Sequence, residues 1–404
     1  MTIKLDKIIL NSFIMAFYLC LFYINAIVMI EGIGIVTLAC VFALFAVSAV
    51  YGWIKTVKGC EIVVIYILSL FFFSILRNGF NSLIVGYLLK FVTYGIIGII
   101  IGMQDINISS VVKMIIAIGI AGSPLMLVKG YDWFLTIDPT RGVAMGLSYA
   151  LLPLLIASLI GLRYRLRWKL LSFYLVYIII WFYIKLAPRG VLLAVGIFIL
   201  IVFYYNFYVQ KHRRNIVLFP FLIIIGGMTG ALCFVKNIAP IMMGIKKILE
   251  LEFGIQIFAL NKFVYYIEKG DVSNNRFDLW NNGWNLAQTH LLTGNGIGRF
   301  EIENGTYTHN IFLQSINEGG VFMLILVCVL LAAAVIWLLF VRGTNVNREQ
   351  YFFMGLLFVA GAFPLLYSSV YWIMNPFWIF LGYVITHIGF KIKKKMLWCI
   401  IRIK

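Results

Sequence analysis

The sequence predicts an all-α polytopic membrane protein of about twelve transmembrane helices, with one long, mostly helical extracytoplasmic loop before the tenth. Three observations carry that prediction. Of the 404 residues 63% are hydrophobic and only 12% charged, with a mean hydropathy of +1.00, whereas a soluble domain is about 25% charged. The apolar excess falls into successive runs near the ~20 residues that a spanning helix needs. The Lys and Arg residues gather in every second short loop between those runs. No polar stretch is large enough for a separate domain, so residues 1–404 form a single membrane domain.

The first run, 8–30, follows Lys4 and Lys7. It is too long for the apolar part of a signal peptide and lacks a small-residue cleavage site, so it reads as a retained first helix. Further runs lie near 33–54, 61–76, 82–102, 110–128, 143–162, 168–186, 190–208, 216–235, 320–341, 351–371 and 375–390. With the N-terminus inside, the cytoplasmic loops hold Lys55 and Lys58, then Arg163, Arg165, Arg167 and Lys169, then Lys211, Arg213 and Arg214, then Arg342 and Arg348. The tail adds Lys391, Lys393, Lys394, Lys395, Arg402 and Lys404. The short opposite loops hold only Arg77, Lys129, Arg141, Lys185 and Arg189. This alternation is the positive-inside pattern of an even number of spans with both termini cytoplasmic. It accounts for the net charge of +18 and removes nucleic acid as a partner. The six cysteines form no CxxC pair and no Cys/His cluster, so neither a zinc site nor a redox centre is expected.

The long loop, 236–310, then lies on the outer face, with seven basic and seven acidic residues. A loop this far beyond about 12–15 residues is functional or disordered, and its many aromatic and branched residues argue for order. Residues 241–267 read as an amphipathic surface helix. A second helix over 276–290 carries Phe277, Trp280, Trp284 and Ala287 as an apolar stripe. Gly294, Gly296 and Gly298 follow as a flexible turn, which lacks the preceding strand and the Lys of a phosphate-binding loop. A short helix from about His309 breaks at Gly319-Gly320, where the tenth span begins.

Candidate chemistry sits at the edges of the loop. His309 lies where the chain re-enters the membrane, and a neutral imidazole there can accept a proton from a sugar hydroxyl. Gly320, on the same helical face, admits a close neighbour. Glu318, nine residues on, points the other way and reads as an anchor for an arginine or a neighbouring helix. Arg276 opens the loop helix, Arg189 sits in a proline turn, and Arg299 and Arg141 lie on the same outer side; guanidinium groups bind phosphate bidentately. Lys90, within the fourth run, reads as a headgroup or acceptor contact. No carboxylate cluster of metal-ligand type occurs on the outer face, so neither a metal nor a cofactor is expected.

Together these residues resemble the O-antigen ligase/polymerase superfamily. The matching pieces are Arg276-Phe277-Asp278-Leu279-Trp280, Thr293-Gly294-Asn295-Gly296-Ile297-Gly298, and His309-Asn310 with Gln314, Glu318 and Gly320. Pro188-Arg189-Gly190 is similar to the family's Ser-Arg-Gly turn. The resemblance implies a metal-independent glycosyltransferase in the bacterial cytoplasmic (inner) membrane, most like an O-antigen polymerase that joins undecaprenyl-pyrophosphate-linked repeat units. It implies Arg276, Arg189, Arg299 and Arg141 as pyrophosphate contacts and His309 with Arg276 as catalytic residues. Asn310, Glu318, Gly320 and Lys90 would support them. Partners implied are the lipid-linked oligosaccharide, membrane lipid, a chain-length regulator and a flippase. A ligase that moves the polysaccharide to lipid A–core shares the motifs. A flippase, the reading from another class, would show repeated halves and midplane polar residues, which the sequence lacks.

Overall fold

The computed structural model describes residues 6–28, 33–50, 54–136, 143–186, 189–209, 276–340 and 347–387, with isolated residues between 243 and 264. The regular elements among the described residues are all helices, without a strand. In chain order the helices are α1 Lys7–Leu19, α2 Leu21–Val28, α3 Ile33–Val50, α4 Lys58–Asn78, α5 Ser82–Lys90, α6 Ile97–Met103, α7 Ile108–Thr136 and α8 Val143–Gly161. There follow α9 Leu166–Leu186, α10 Arg189–Tyr204, α11 Arg276–Thr289, α12 Arg299–Asn304, α13 Ile311–Phe340, α14 Arg348–Leu357 and α15 Asn375–His387.

Among the described residues seven helices are long and apolar enough to cross a membrane, and α1 with α2, bent by 52°, makes an eighth if taken as one span. Eleven of the twelve runs in the sequence coincide with helix, while 216–235 and nearly all of 241–267 lie outside the described residues. The lipid-facing surface is written on α4, where Ile62, Ile65, Phe72, Phe73 and Leu76 are each at least 60% exposed. In water such a face would drive association; in hydrocarbon it is the ordinary outside.

Polar-atom satisfaction and close backbone contact build the interior instead. α15 is buried along almost its whole length and packs on α6. Gly102 faces the Ile379 carbonyl and Gly382 faces the Ile99 carbonyl, so neither position has room for a Cβ. Small residues at a crossing let helix backbones meet, which replaces the hydrophobic drive that lipid removes.

The short helix expected from about His309 begins at Ile311 and breaks at Gly320 (φ 66°, ψ −159°), so α13 is two helices joined at a kink where the tenth span was expected to begin. Two other elements are shaped differently from their sequence reading. The eleventh run stops early: α14 passes through a π turn at Phe358–Ala362 and a 3-10 turn at Phe363–Leu366 into an irregular segment, 367–374. Pro364, which has no N–H to continue a helix, lies in that transition. In α11 the buried positions are Gly283 and Ala287, while Phe277 and Trp284 are exposed. The predicted four-residue stripe is therefore not one buried face; α11 docks through its small residues and Trp280.

Candidate functional site

Each element of the site is fixed by local chemistry. Asn310 caps α13, its side-chain oxygen accepting from Phe312 N at 2.9 Å and Leu313 N at 3.3 Å. The helix therefore begins after His309, not at it, and a capping side chain of this kind is worth about 1 kcal/mol. His309 sits just outside with φ 55°, among the described residues the only non-glycine in the left-handed region. Such a backbone state costs an ordinary residue on the order of 1 kcal/mol and persists only where its surroundings impose it.

Those surroundings are aromatic. The Tyr307 ring lies 4.1 Å from the imidazole between centroids, and the Tyr307 hydroxyl donates to the Ser368 carbonyl at 3.0 Å. That same carbonyl faces the His309 ring. From the other side, Trp280 Nε1 of α11 donates to the Thr308 carbonyl at 3.0 Å. The loop helix is thus tied to the turn that carries His309.

Arg276, the first residue of α11, acts electrostatically on His309 and Tyr307 and on Tyr149 and Tyr367. Burial, then the guanidinium, push the His309 pKa down from 6.5 to about 4. The imidazole is consequently neutral at physiological pH. Burial raises the Tyr307 pKa, and Arg276 opposes that rise. Among the described residues Arg276 Nε and His309 Nδ1 have no hydrogen-bond partner although both are buried. A neutral imidazole carries one donor and one acceptor nitrogen, and Nδ1 is without a partner among the described residues.

The 367–374 segment, which the sequence reading placed inside a span and at its end, connects the parts. Its Tyr367 hydroxyl donates to the Gly190 carbonyl at 2.6 Å. Gly190 is also hemmed by Tyr149, so a side chain there would collide with both tyrosines. Arg189 opens α10 immediately before it. Farther along the segment, the Tyr371 hydroxyl donates to Glu318 Oε2, and Trp372 Nε1 donates to Glu318 Oε1 at 3.1 Å. Glu318 is an anchor, as its sequence position suggested, but it holds this segment and not an arginine.

The glycine turn is likewise not loose. Asn295 N donates to Asn317 O at 2.5 Å, Gly296 N to Glu318 O at 3.2 Å, and Val321 N to Leu291 O at 2.9 Å. These bonds satisfy the backbone groups that the break at Gly320 exposes. From α4, Arg77 Nη1 donates to Gly294 O at 2.7 Å, Asn78 Nδ2 to Asn295 O at 3.0 Å, and Ser74 Oγ accepts from Ile297 N at 2.8 Å. Gly320 meets the Leu292 carbonyl so closely that no Cβ fits. The neighbour it admits is this turn and not another helix. Beside the turn a cavity of about 420 Å³ is walled by Leu70, Phe73, Leu76 and Phe322, with Arg77 and Thr293 among its lining residues.

Not every predicted residue converges. Arg299 pairs with Glu303 at 2.6 Å on a partly exposed edge, and Lys90 lies exposed at the end of α5, with its ammonium 5.6 Å from the Tyr87 ring centre. Arg141 and the Arg189 side chain lie outside what is described. Two participants carry no sequence signal strong enough to find them: Glu301, which reads as an ordinary surface charge, and the 367–374 segment, hidden in a continuous apolar run.

The fold and the site define a multi-pass helical membrane protein with an arginine and a neutral histidine at the mouth of one long helix. Residues 187–328 match the family described as O-antigen ligase, and the match supports the O-antigen ligase/polymerase superfamily that the motifs resemble. The matched segment contains Arg189, Arg276, His309, Glu318 and Gly320, whereas Lys90 and Arg141 fall outside it. Among curated proteins none matches the chain.

Proposed function

We propose that the protein is a polymerase that joins undecaprenyl-pyrophosphate-linked oligosaccharide repeat units on the outer face of the bacterial cytoplasmic membrane. The observation that carries this reading is the Arg276–His309 pair, a half-buried cation beside a neutral imidazole within the family-matched segment. Arg276 holds the pyrophosphate of the donor, and a charge that cannot be lost suits a leaving group that becomes more anionic as it departs. His309 Nδ1 accepts the hydrogen bond of the acceptor hydroxyl. The hydroxyl oxygen attacks the anomeric carbon, the bond from that carbon to the pyrophosphate oxygen breaks, and the lipid pyrophosphate leaves.

A pKa near 4 makes His309 a weak base. It orients the hydroxyl in the ground state and takes the proton only when the forming bond has made that oxygen acidic. Much of the rate then comes from positioning, which suits a donor with a good leaving group. The apolar cavity beside the glycine turn, with Arg77 at its edge, suits the first isoprene units of a lipid-linked substrate. The described end of the long loop, from α11 to the His309 turn, acts as a clamp beside this site, and both termini are cytoplasmic.

The test is a polysaccharide gel of cells lacking the protein. Single repeat units on the acceptor identify a polymerase; an acceptor bearing no repeat units identifies the ligase, which the family description equally allows. Polymer length unchanged by both His309→Ala and Arg276→Ala overturns the enzymatic reading and favours transport.

A further inference from the structure

Behind the His309 turn two carboxylates are buried against one amide. Glu318 is 3% exposed and Glu301 9% exposed. Gln314 Nε2 spends both its protons on them, donating to Glu301 Oε1 at 3.2 Å and to Glu318 Oε1 at 3.0 Å. The groups that face the pair are Tyr371 and Trp372 from the 367–374 segment, Gln314 from α13 and Tyr87 from α5. Arg299, the cation on the same helix as Glu301, is turned to Glu303 at the edge. Among the described residues no cation faces either carboxylate, so two full negative charges here would be met by neutral donors alone. Like charges sharing one desolvated site do not both ionise near neutrality.

We propose that Glu301 and Glu318 hold one proton between them, and that this shared proton clamps the 367–374 segment behind His309, which makes both glutamates positioning residues. The route is short and structural. Glu318 receives Tyr371 and Trp372, and the same segment presents the Ser368 carbonyl that faces His309 and takes the Tyr307 hydroxyl. It also presents Tyr367, which grips Gly190 beside Arg189. When the pair loses its proton, repulsion drives α12 away from α13, and Glu318 keeps the segment it holds while the 305–310 turn that bears His309 moves with α12. The His309 imidazole then loses the carbonyl that fixes its orientation.

The direction of the pH effect follows. Burial first, then the neighbouring Glu318, raise the Glu301 pKa from 4.5 to about 8. The folded chain therefore holds a proton that the unfolded chain releases, and its stability falls as pH rises from about 4.5 through about 8. Activity should fall on the same alkaline side.

The experiment uses the full-length protein in lipid vesicles, comparing wild type with Glu301→Gln, Glu318→Gln and Glu301→Ala. Thermal midpoints are read from pH 5 to 9, together with the pH profile of oligosaccharide transfer from a polyprenyl-pyrophosphate donor. The expected result is a wild-type midpoint that falls with pH and a Glu301→Gln midpoint that does not. The alkaline limb of transfer should move up by at least one pH unit in Glu301→Gln. Glu301→Ala, which cannot accept from Gln314, should lower transfer at every pH. An unchanged pH dependence of the midpoint in both Gln variants overturns the shared proton. A flattened midpoint with an unmoved alkaline limb overturns the positioning role. The activity arm rests on the polymerase or ligase reading above, and a wild type without transfer activity sinks that reading alone, because the midpoints still decide the proton.

Discussion

His309 is held in a left-handed backbone state, beside a cation, with its ring nitrogen buried. Asparagine tolerates that backbone state better than most residues, so His309→Asn separates chemistry from conformation. Its thermal midpoint should stay near wild type while transfer falls by about 10²–10⁴-fold, the range typical of a lost acid–base group. The imidazole itself sets an acid limit. Because the folded pKa is depressed to about 4, transfer should persist well below pH 6 and fall only as pH drops through about 4. The same depression means that the unfolded chain binds the proton first, so this residue's contribution to stability is lost between about 6.5 and 4. Gly320 is the other residue whose identity is dictated outright. Gly320→Ala meets the Leu292 carbonyl in a left-handed backbone, and the expected loss is at least 1–3 kcal/mol, ~1 from the backbone alone. A thermal or denaturant midpoint in detergent checks it.

At the scale of elements, α11 is joined to the His309 turn through one indole. Trp280→Phe keeps the ring and removes the N–H that Thr308 accepts. A net loss of about 1 kcal/mol in stability is expected, with a larger relative loss of transfer because the turn is released, measured side by side on the same preparation. The helices themselves were legible from hydropathy, since a run of some twenty apolar residues has few alternatives in a membrane. What hydropathy could not show is where a run stops being helix. Residues 358–374 stay apolar while the backbone passes through π and 3-10 turns into an open segment. Composition there is governed by lipid and by packing, and the hydrogen bonds of Tyr367, Tyr371 and Trp372 are what hold the irregular backbone. Likewise Asn310 and Gly320 were found as motif residues, but their roles as helix cap and docking point emerge only with Phe312, Leu313 and Leu292 around them. Glu301 carries no local signal, because its partners Gln314 and Glu318 lie on another helix.

Among the described residues many of the buried polar groups, from Asn295, Glu301 and Thr308 to Gln314, Asn317, Glu318 and Ser368, lie near His309. Arg77 shows the coupling between distant parts of the chain. Arg77→Lys offers one point donor where the guanidinium props the Gly294 carbonyl, and Arg77→Ala offers none. Transfer should decline in the order wild type, Lys, Ala. Equal activity in all three would show that Asn78 and Ser74 hold the turn without it.

These props join residues 217 to 223 positions apart in the chain. At roughly 5–20 residues per second, α4 is made some 10–40 seconds before the turn it supports exists. The Tyr367 bond to Gly190 spans a further 177 positions. The end of the bundle that carries His309 is therefore assembled last, from parts inserted early and kept waiting. A chain cut short before residue 367 would still place most of its helices in the membrane and be unable to work. Whatever chemistry the His309 end performs, nascent copies cannot begin it while they are still being threaded into the bilayer.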